Sequence, residues 1–584
     1  MGKKDKKRSV KPAPKTTTKP VQKEKRSFWP WFLLLAVITA VCFFPMMKNT
    51  FTNWDDEFYV VNNALLRGPD WAGIFSKQVV SNYHPLTILS LALNYAISGT
   101  QAWSYLALNL LLHIINVTLV FKFIYSISDK KFGVAFFSAL IFAIHPMHVE
   151  SVAWISERKD VLYTLFFLLS LMQYWRFLQT NKQKYLWVCF LLFVFSLLSK
   201  PAAIVLPLVL FLLDHWKQRQ FSKKIIWEKI PFFLVAGLFT VITLKLQSVT
   251  AMTSLDQYPI WVRLFFACYV TMIYFIRFFV PYPLSAFHPF PSPDNLGWVV
   301  YLSPIFVLAF LFFLWRYRKN RVVVFGLLFF IVNILLVLQL ISIGYTIVSE
   351  RYTYVPYIGL AFLLLMLVNK YAATKAMTAL RAVAAIVFLV FGFMSFQRTK
   401  VWKDSQTMWT DVIDRYPNAS LARGDRAQYN YNRAILMDPK QAEPLLKSVI
   451  EDCSVVINLS KDTLKSGHPK AGRSFYFMRG VSYNSLQQFD KAFEDFTDCI
   501  EVDPNDDEVI NARGSLSVNY YKKYPEAMND FNRAIQINPK GNYYLNRSIC
   551  YYKMGDLVKA KDDAQTAIQK GVNVMDSYRK LLNL

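Results

Sequence analysis

FWPWFLLLAVITAVCFFPMM, residues 28–47, is followed closely by Asn53-Trp54-Asp55-Asp56-Glu57, and the fold turns on reading the two together. About 20 predominantly apolar residues make a helix long enough to cross a bilayer. Acidic side chains are costly in hydrocarbon, so three of them at the mouth of such a helix belong in water or in a functional cavity. A plainer reading makes them the cap and first turn of an interfacial helix, Phe58 to Leu66. The apolar run is long for the core of a signal peptide and has no small-x-small cleavage site after it, so a retained first span is expected. Before it, residues 1–27 are rich in Lys, Pro and Thr. That composition predicts a disordered basic tail that holds the N-terminus in the cytoplasm and touches anionic lipid.

The 584-residue chain is 54% hydrophobic and 16% aromatic, with a formal charge of +27. Its cations lie in the tail and in short connectors between apolar runs, which excludes a nucleic-acid role in favour of membrane topology. Further apolar runs are Ala102–Ile127, Phe132–His145, Val161–Phe177, Leu186–Leu198, Ala202–His215, Pro231–Leu246, Gly297–Trp315, Val322–Ile343, Tyr354–Val368 and Leu380–Phe396. With the first they predict about eleven spans. The basic connectors Asp129–Lys131, Arg176–Lys184, Lys217–Lys229, Arg316–Arg321 and Lys370–Arg381 then share the side of the tail. Trp261–Val280 is long enough to span, but counting it would move Arg316–Arg321 outside, so the charge rule predicts an interfacial or re-entrant helix there. Pro85 opens a shorter segment, Leu86–Ser98, with Thr87, Ser90, Asn94 and Ser98 on one face and Leu89, Leu93 and Ile97 on another. Such a helix would lie flat on the membrane and roof a cavity. The six cysteines show no metal-ligand spacing and read as small buried hydrophobes.

After Arg398 the apolar runs stop. Arg479-Gly480, Arg513-Gly514 and Arg547-Ser548 recur at 34 residues, accompanied by Ala492, Ala527 and Ala560, with an extra residue near Lys523. This is the period of tetratricopeptide repeats. An all-α chain is therefore expected: a tail over 1–27, a polytopic membrane domain over 28–398, and a repeat solenoid over 399–584 whose groove suits an extended protein acceptor.

By this topology the polar residues capable of chemistry collect on the outer side. The acids Asp55 and Asp56 are the candidate general bases toward a hydroxyl. Arg158, Lys159, Lys200 and Arg351 are candidates to hold a phosphate leaving group. Glu57, Tyr83, His84, His148, Glu150 and Asp160 are further substrate-binding candidates. Each has a blander reading: Arg158 or Lys159 as an interfacial snorkelling residue, Arg351 as a partner of Glu350. His145, His148 and Glu150 fit no strong metal motif, so no metal site and no cofactor are expected, a divalent ion being the lesser reading.

Trp54-Asp55-Asp56, His84-Pro85-Leu86-Thr87, Leu93-Asn94-Tyr95, His145-Pro146 with His148-Val149-Glu150, Arg158-Lys159-Asp160, Ser199-Lys200-Pro201 and the trailing repeats resemble the GT-C glycosyltransferases, in particular the transmembrane and tetratricopeptide repeat O-mannosyltransferases and their bacterial relatives. That resemblance implies a polyprenyl- or dolichyl-phosphate sugar donor, mannose as the sugar, a protein Ser/Thr acceptor, and a first-loop acid, Asp55 or Asp56, as base. The basic tail and connectors on one side of an odd number of spans place the expected active site and repeats outside the cytoplasm, in the periplasm of a bacterium or the endoplasmic reticulum lumen of a eukaryote. A ligase using a lipid-diphosphate oligosaccharide and a non-catalytic scaffold presenting the repeats are the competing readings.

Overall fold

The computed structural model describes residues 2, 27–68, 70–247, 258–340, 345–371, 376–464 and 472–584. Of the expected tail, 1–27, only Gly2 and Ser27 lie among them. Among the described residues the chain is helical, with isolated bridges but no strand.

Seven helices are each long and apolar enough to cross a membrane: Trp29–Lys48, Ala102–Ile127, Ile155–Thr180, Lys223–Gln247, Ile260–Phe279, Trp298–Arg316 and Ala379–Val401. An eighth candidate is a pair, Phe132–Ile144 and Pro146–Ala153, bent by 58°. The break falls at His145-Pro146, where the proline disfavours helix at the residue before it. Shorter apolar helices at Gln183–Ser199, Pro201–Trp216, Arg321–Val337 and Pro356–Lys370 complete the bundle.

The helix ends fall on two faces. On one, Thr87 donates to the Ser199 carbonyl at 2.8 Å, Gln247 to Asn82 at 3.4 Å, and Asn49 to the Thr399 carbonyl at 2.9 Å. On the other, Trp216 donates to the Ile127 carbonyl at 2.9 Å, Arg321 to the Trp216 carbonyl at 3.1 Å, and Phe28 packs on Tyr125 and Phe132. Ile260–Phe279 behaves differently from the rest. Near its start the Tyr258 hydroxyl donates to the Pro291 carbonyl at 2.5 Å. At its end Arg277 donates to Nε2 of His288, whose Nδ1 is 2.7 Å from the Tyr416 hydroxyl. Both ends are thus tied to the segment that follows the helix, on the first-loop face, and the basic turn after Arg316 lies on the opposite face.

Pro85–Ser98 starts with proline at its first position and ends at Gly99, φ +57°. Proline's fixed φ suits a first turn and glycine the left-handed exit. The expected helix over Phe58–Leu66 is instead a π turn, Glu57–Val61, and a 3-10 turn, Ala64–Leu66.

The composition boundary at 398/399 falls inside a helix, Ala376–Val401, which leads directly into the helices Ser405–Arg415 and Ser420–Ala434. From there helices pair in sequence, and the repeating arginines explain part of the period. Arg479, Arg513 and Arg547 bridge Asp495, Asp530 and Asp563 at 2.6–2.7 Å, each tying the two helices of its unit. Gly480 and Gly514 lie where a Cβ would meet the Phe496 and Phe531 rings at 2.8 and 3.0 Å, so glycine permits the close crossing. The extra residue of the second unit is taken up by a π turn, Ser517–Tyr521, closed by Lys522 at φ +55°.

Candidate active site

The two first-loop acids, adjacent in sequence, have different surroundings. Asp56 is buried, and its carboxylate accepts from the backbone N–H and hydroxyl of Thr52 at 2.9 and 3.0 Å and from the N–H and hydroxyl of Ser156. Both oxygens are thereby filled, and burial, only partly countered by these bonds, pushes its pKa up to about 6. This is the geometry of a clamp joining the first loop to the turn before the Arg158–Thr180 helix. It corrects the expectation that Asp56 is an alternative base, since no lone pair faces a substrate. The Asp55 carboxylate lies 3.6 Å from Lys159 Nζ with its side chain 23% exposed; it can accept a proton.

Behind Lys159 lies a built charge cluster. Glu157 is 3.2 Å from Lys159, 3.3 Å from Lys200 and 3.3 Å from Arg351 Nε. Asp160 pairs with Lys200, and Glu150 with Arg351. The three acids are at most 2% exposed, whereas the cations keep 10–15%. Buried carboxylates thus hold three cations from behind and leave part of each cation facing outward. Burial works against the charges of Lys200 and Arg351, but Asp160, Glu150 and Glu157 hold both pKa values above the ordinary range. Sequence sets this up locally. Glu157 and Asp160 are one turn apart at a helix N-terminus, where acids suit the dipole. Pro201 forces Lys200 out of the helix that precedes it, to φ −157°, and so turns its side chain toward them.

Several expected residues do not reach this cluster. Arg158 is fully enclosed and donates to Asn109, Ser90, Asn94 and the Tyr105 carbonyl; it ties the Pro85–Ser98 roof to the bundle and is corrected from phosphate binding to structure. His148 is buried among Phe142, His145, Tyr354 and Tyr357, its Nδ1 2.9 Å from the Phe142 carbonyl, and is likewise a core residue. His145 Nε2 meets the Phe278 carbonyl at 3.1 Å, and Glu150 pairs with Arg351. The Tyr83 hydroxyl is held by the Phe75 carbonyl at 2.9 Å. His84 is buried and stacked on Tyr59; burial, then Lys159 and Lys200, push its pKa down to about 3, so it is neutral beside the cations. Glu57 stays half-buried at the rim, its pKa raised by burial.

Glu157, the hub of the cluster, was not among the expected site residues, although its spacing to Asp160 carried the signal. Tyr352 is also a wall of the site, with Arg351 4.9 Å and Lys200 5.9 Å from its ring. A third wall comes from the repeat domain. Asn53 accepts from Trp409 at 2.9 Å and donates to the Ser405 hydroxyl and the Asp425 carbonyl at 2.8 and 2.7 Å. Trp54 stacks on Trp154 at 4.6 Å, Trp154 on Trp402 at 5.3 Å, and Trp54 also meets Trp409. No pairwise motif in the sequence announces this long-range column.

Residues 84–244 match the family described as dolichyl-phosphate-mannose-protein mannosyltransferase, and residues 474–506 match the tetratricopeptide repeat. The first match takes in Glu150, Glu157, Lys159, Asp160 and Lys200, but neither Asp55 nor Arg351. The chain is similar to protein O-mannosyl-transferase TMTC1 of Mus musculus, 35% identical over 24% of this chain and 16% of that protein. It is similar to TMTC2 of Mus musculus, 42% identical over 20% and 15%, and to protein O-mannosyl-transferase F38B6.6 of Caenorhabditis elegans, 24% identical over 70% and 62%. The chain therefore covers less than two thirds of the length of each of these curated relatives. Among solved structures, that of ArnT from Cupriavidus metallidurans bound to undecaprenyl phosphate is similar at a TM-score of 0.39 and 13% identity, over 69% of this chain and 81% of that one; this score is too low to carry the fold. The resemblance read from the motifs holds in both halves of the chain, the membrane segment and the repeats.

Proposed function

We propose that the chain is a membrane glycosyltransferase that moves mannose from a polyprenyl- or dolichyl-phosphate donor to a Ser or Thr hydroxyl of a protein. The observation that carries this reading is Asp55 beside Lys159, one of three cations held from behind by buried acids, in and around the segment that matches the mannosyltransferase family. As the acceptor oxygen bonds to the anomeric carbon, its proton passes to the Asp55 carboxylate. The bond from that carbon to the phosphate oxygen breaks, and the departing lipid phosphate is received by Lys200, Arg351 and Lys159. The acids behind the cations fix them in place before the charge arrives. Eleven crossings, a cytoplasmic N-terminus, and an active site and repeats on the far side form the topology that goes with this chemistry.

The repeats have hollows of about 380 and 440 Å³, one lined in part by Asn484, Asn519 and Tyr520, the other by Asn511, Asn546 and Tyr543. Amide side chains of this kind pair with the backbone of an extended peptide, which supports acceptor recruitment. The first repeat helices do more than recruit, because they fasten Asn53 two residues from Asp55.

Purified protein incubated with radiolabelled polyprenyl-phosphate mannose and a Ser/Thr-rich peptide should yield labelled peptide. Transfer only from a lipid-diphosphate oligosaccharide would favour the ligase, and no transfer from either donor the scaffold.

A further inference from the structure

On the face opposite the active site, the turn between the helices Trp298–Arg316 and Arg321–Ile334 opens a cleft of about 650 Å³. Arg316, Arg318, Lys319 and Lys370 line it with Trp315, Tyr317 and Asn320, and among the described residues no carboxylate is in this lining. The Arg318 guanidinium lies 4.9 Å from the Trp315 ring and that of Arg316 5.6 Å from the Tyr317 ring, so aromatic faces help to orient both. Cations scattered along a connector would satisfy the charge bias of membrane proteins without forming a concavity. Here they converge on one.

The cleft sits at the end of a helix whose apolar side chains are largely exposed, the surface that a bilayer would cover. Leu308, Leu311, Phe312 and Trp315 are all exposed on the same helix, which leads from the cleft toward the middle of the membrane. An occupant that satisfies both parts has an anionic head and long apolar chains. We propose that the cleft binds the phosphate headgroup of an anionic membrane lipid, with its acyl chains along the Trp298–Arg316 helix. Guanidinium groups present paired donors that match phosphate oxygens, and basic pockets between membrane helices suit such headgroups. Because this helix already faces the acyl layer, a headgroup that arrives with its own chains reaches the cations without leaving the membrane, which favours a lipid over a soluble anion. The site is separate from the glycosyl-transfer chemistry and does not depend on it.

The test uses the full-length protein in phosphatidylcholine nanodiscs doped with phosphatidylglycerol, with retained phosphatidylglycerol counted by native mass spectrometry. Arg316→Gln/Arg318→Gln/Lys319→Gln should weaken retention about a hundredfold. Lys182→Gln/Lys184→Gln, on the same face but outside the cleft, should stay within about threefold of the parent. Equal losses in the two variants would mean diffuse surface charge and overturn the proposal. So would displacement of the lipid from the parent protein by millimolar inorganic phosphate, which would mark a soluble-anion site. Should the triple variant not fold, Lys319→Gln alone should show about a fivefold loss, and unchanged retention there would also overturn it.

Discussion

Replacing each first-loop acid by its amide separates a clamp from a base. In Asp56→Asn one carboxylate oxygen becomes an NH2 group facing either the Thr52 pair or the Ser156 pair of donors. Two hydrogen bonds to a charged acceptor are lost, each worth about 1.5–3 kcal/mol, and a donor is left pointing at donors. The cost comes to roughly 3–6 kcal/mol, against a total stability on the order of 5–15 kcal/mol for an ordinary domain. Asp56→Asn should therefore lower the melting temperature sharply. Asp55→Asn removes only a partly exposed pair with Lys159, worth about 1 kcal/mol or less, and should fold normally. It loses the proton acceptor, so turnover should fall about 10²- to 10⁴-fold. The assay has two readouts on the same preparations: thermal melting in detergent, and mannose transfer from polyprenyl-phosphate mannose to peptide. An Asp55→Asn protein that turns over within a few-fold of the parent, beside an Asp56→Asn protein that melts like the parent but is inactive, would reverse the assignment.

Three further outcomes follow from the same geometry. Lys200→Met and Arg351→Met should each weaken donor binding about 10- to 100-fold, whereas Arg158→Met should lower the melting temperature and leave the donor affinity of the folded fraction unchanged; isothermal donor titration with melting curves distinguishes the two. A chain ending after Val401 loses the partners of Asn53 and should not transfer mannose even to a short peptide, whereas one ending after Leu464 keeps them and should lose mainly transfer to protein. In Asp425 burial, then Glu57, raises the pKa to about 7, so the folded state holds a proton that the unfolded chain gives up above about pH 4, and the resulting stability loss grows from there and is complete above pH 7; Asp425→Asn should raise the melting temperature most at pH 8.5, about half as much at pH 5.5 and little at pH 4, and an equal shift at all three would remove the proton from the account.

The helical class and the repeats were legible because periodicity and hydropathy act locally. A 34-residue spacing of Arg-Gly pairs needs no tertiary information, and its arginines duly bridge the two helices of their units. The site was legible only as a neighbourhood. Asp55 and Asp56, or Arg158 and Lys159, are equivalent until the backbone sends successive side chains in different directions, and that direction is set by partners as remote as Ser156 and Asn94. Glu157 does not stand out in the sequence. Its importance comes from Lys200 and Arg351 arriving from elsewhere in the chain.

The buried backing of the cations bears on how a ligand finds the site. Asp55, Glu150, Glu157 and Asp160 face Lys159, Lys200 and Arg351, four carboxylates against three cations. With its cations paired in this way, the cluster offers little unpaired positive charge with which to draw phosphate, nucleotides or other soluble anions from solution. A phosphate confined to the plane of the membrane does not need to be drawn. Restricted to a thin layer beside the site, it meets the cluster at a higher local concentration than the same group spread through solution, so modest attraction suffices. For the lipid-phosphate donor proposed above, tethering rather than strength of binding would select it over its soluble counterparts.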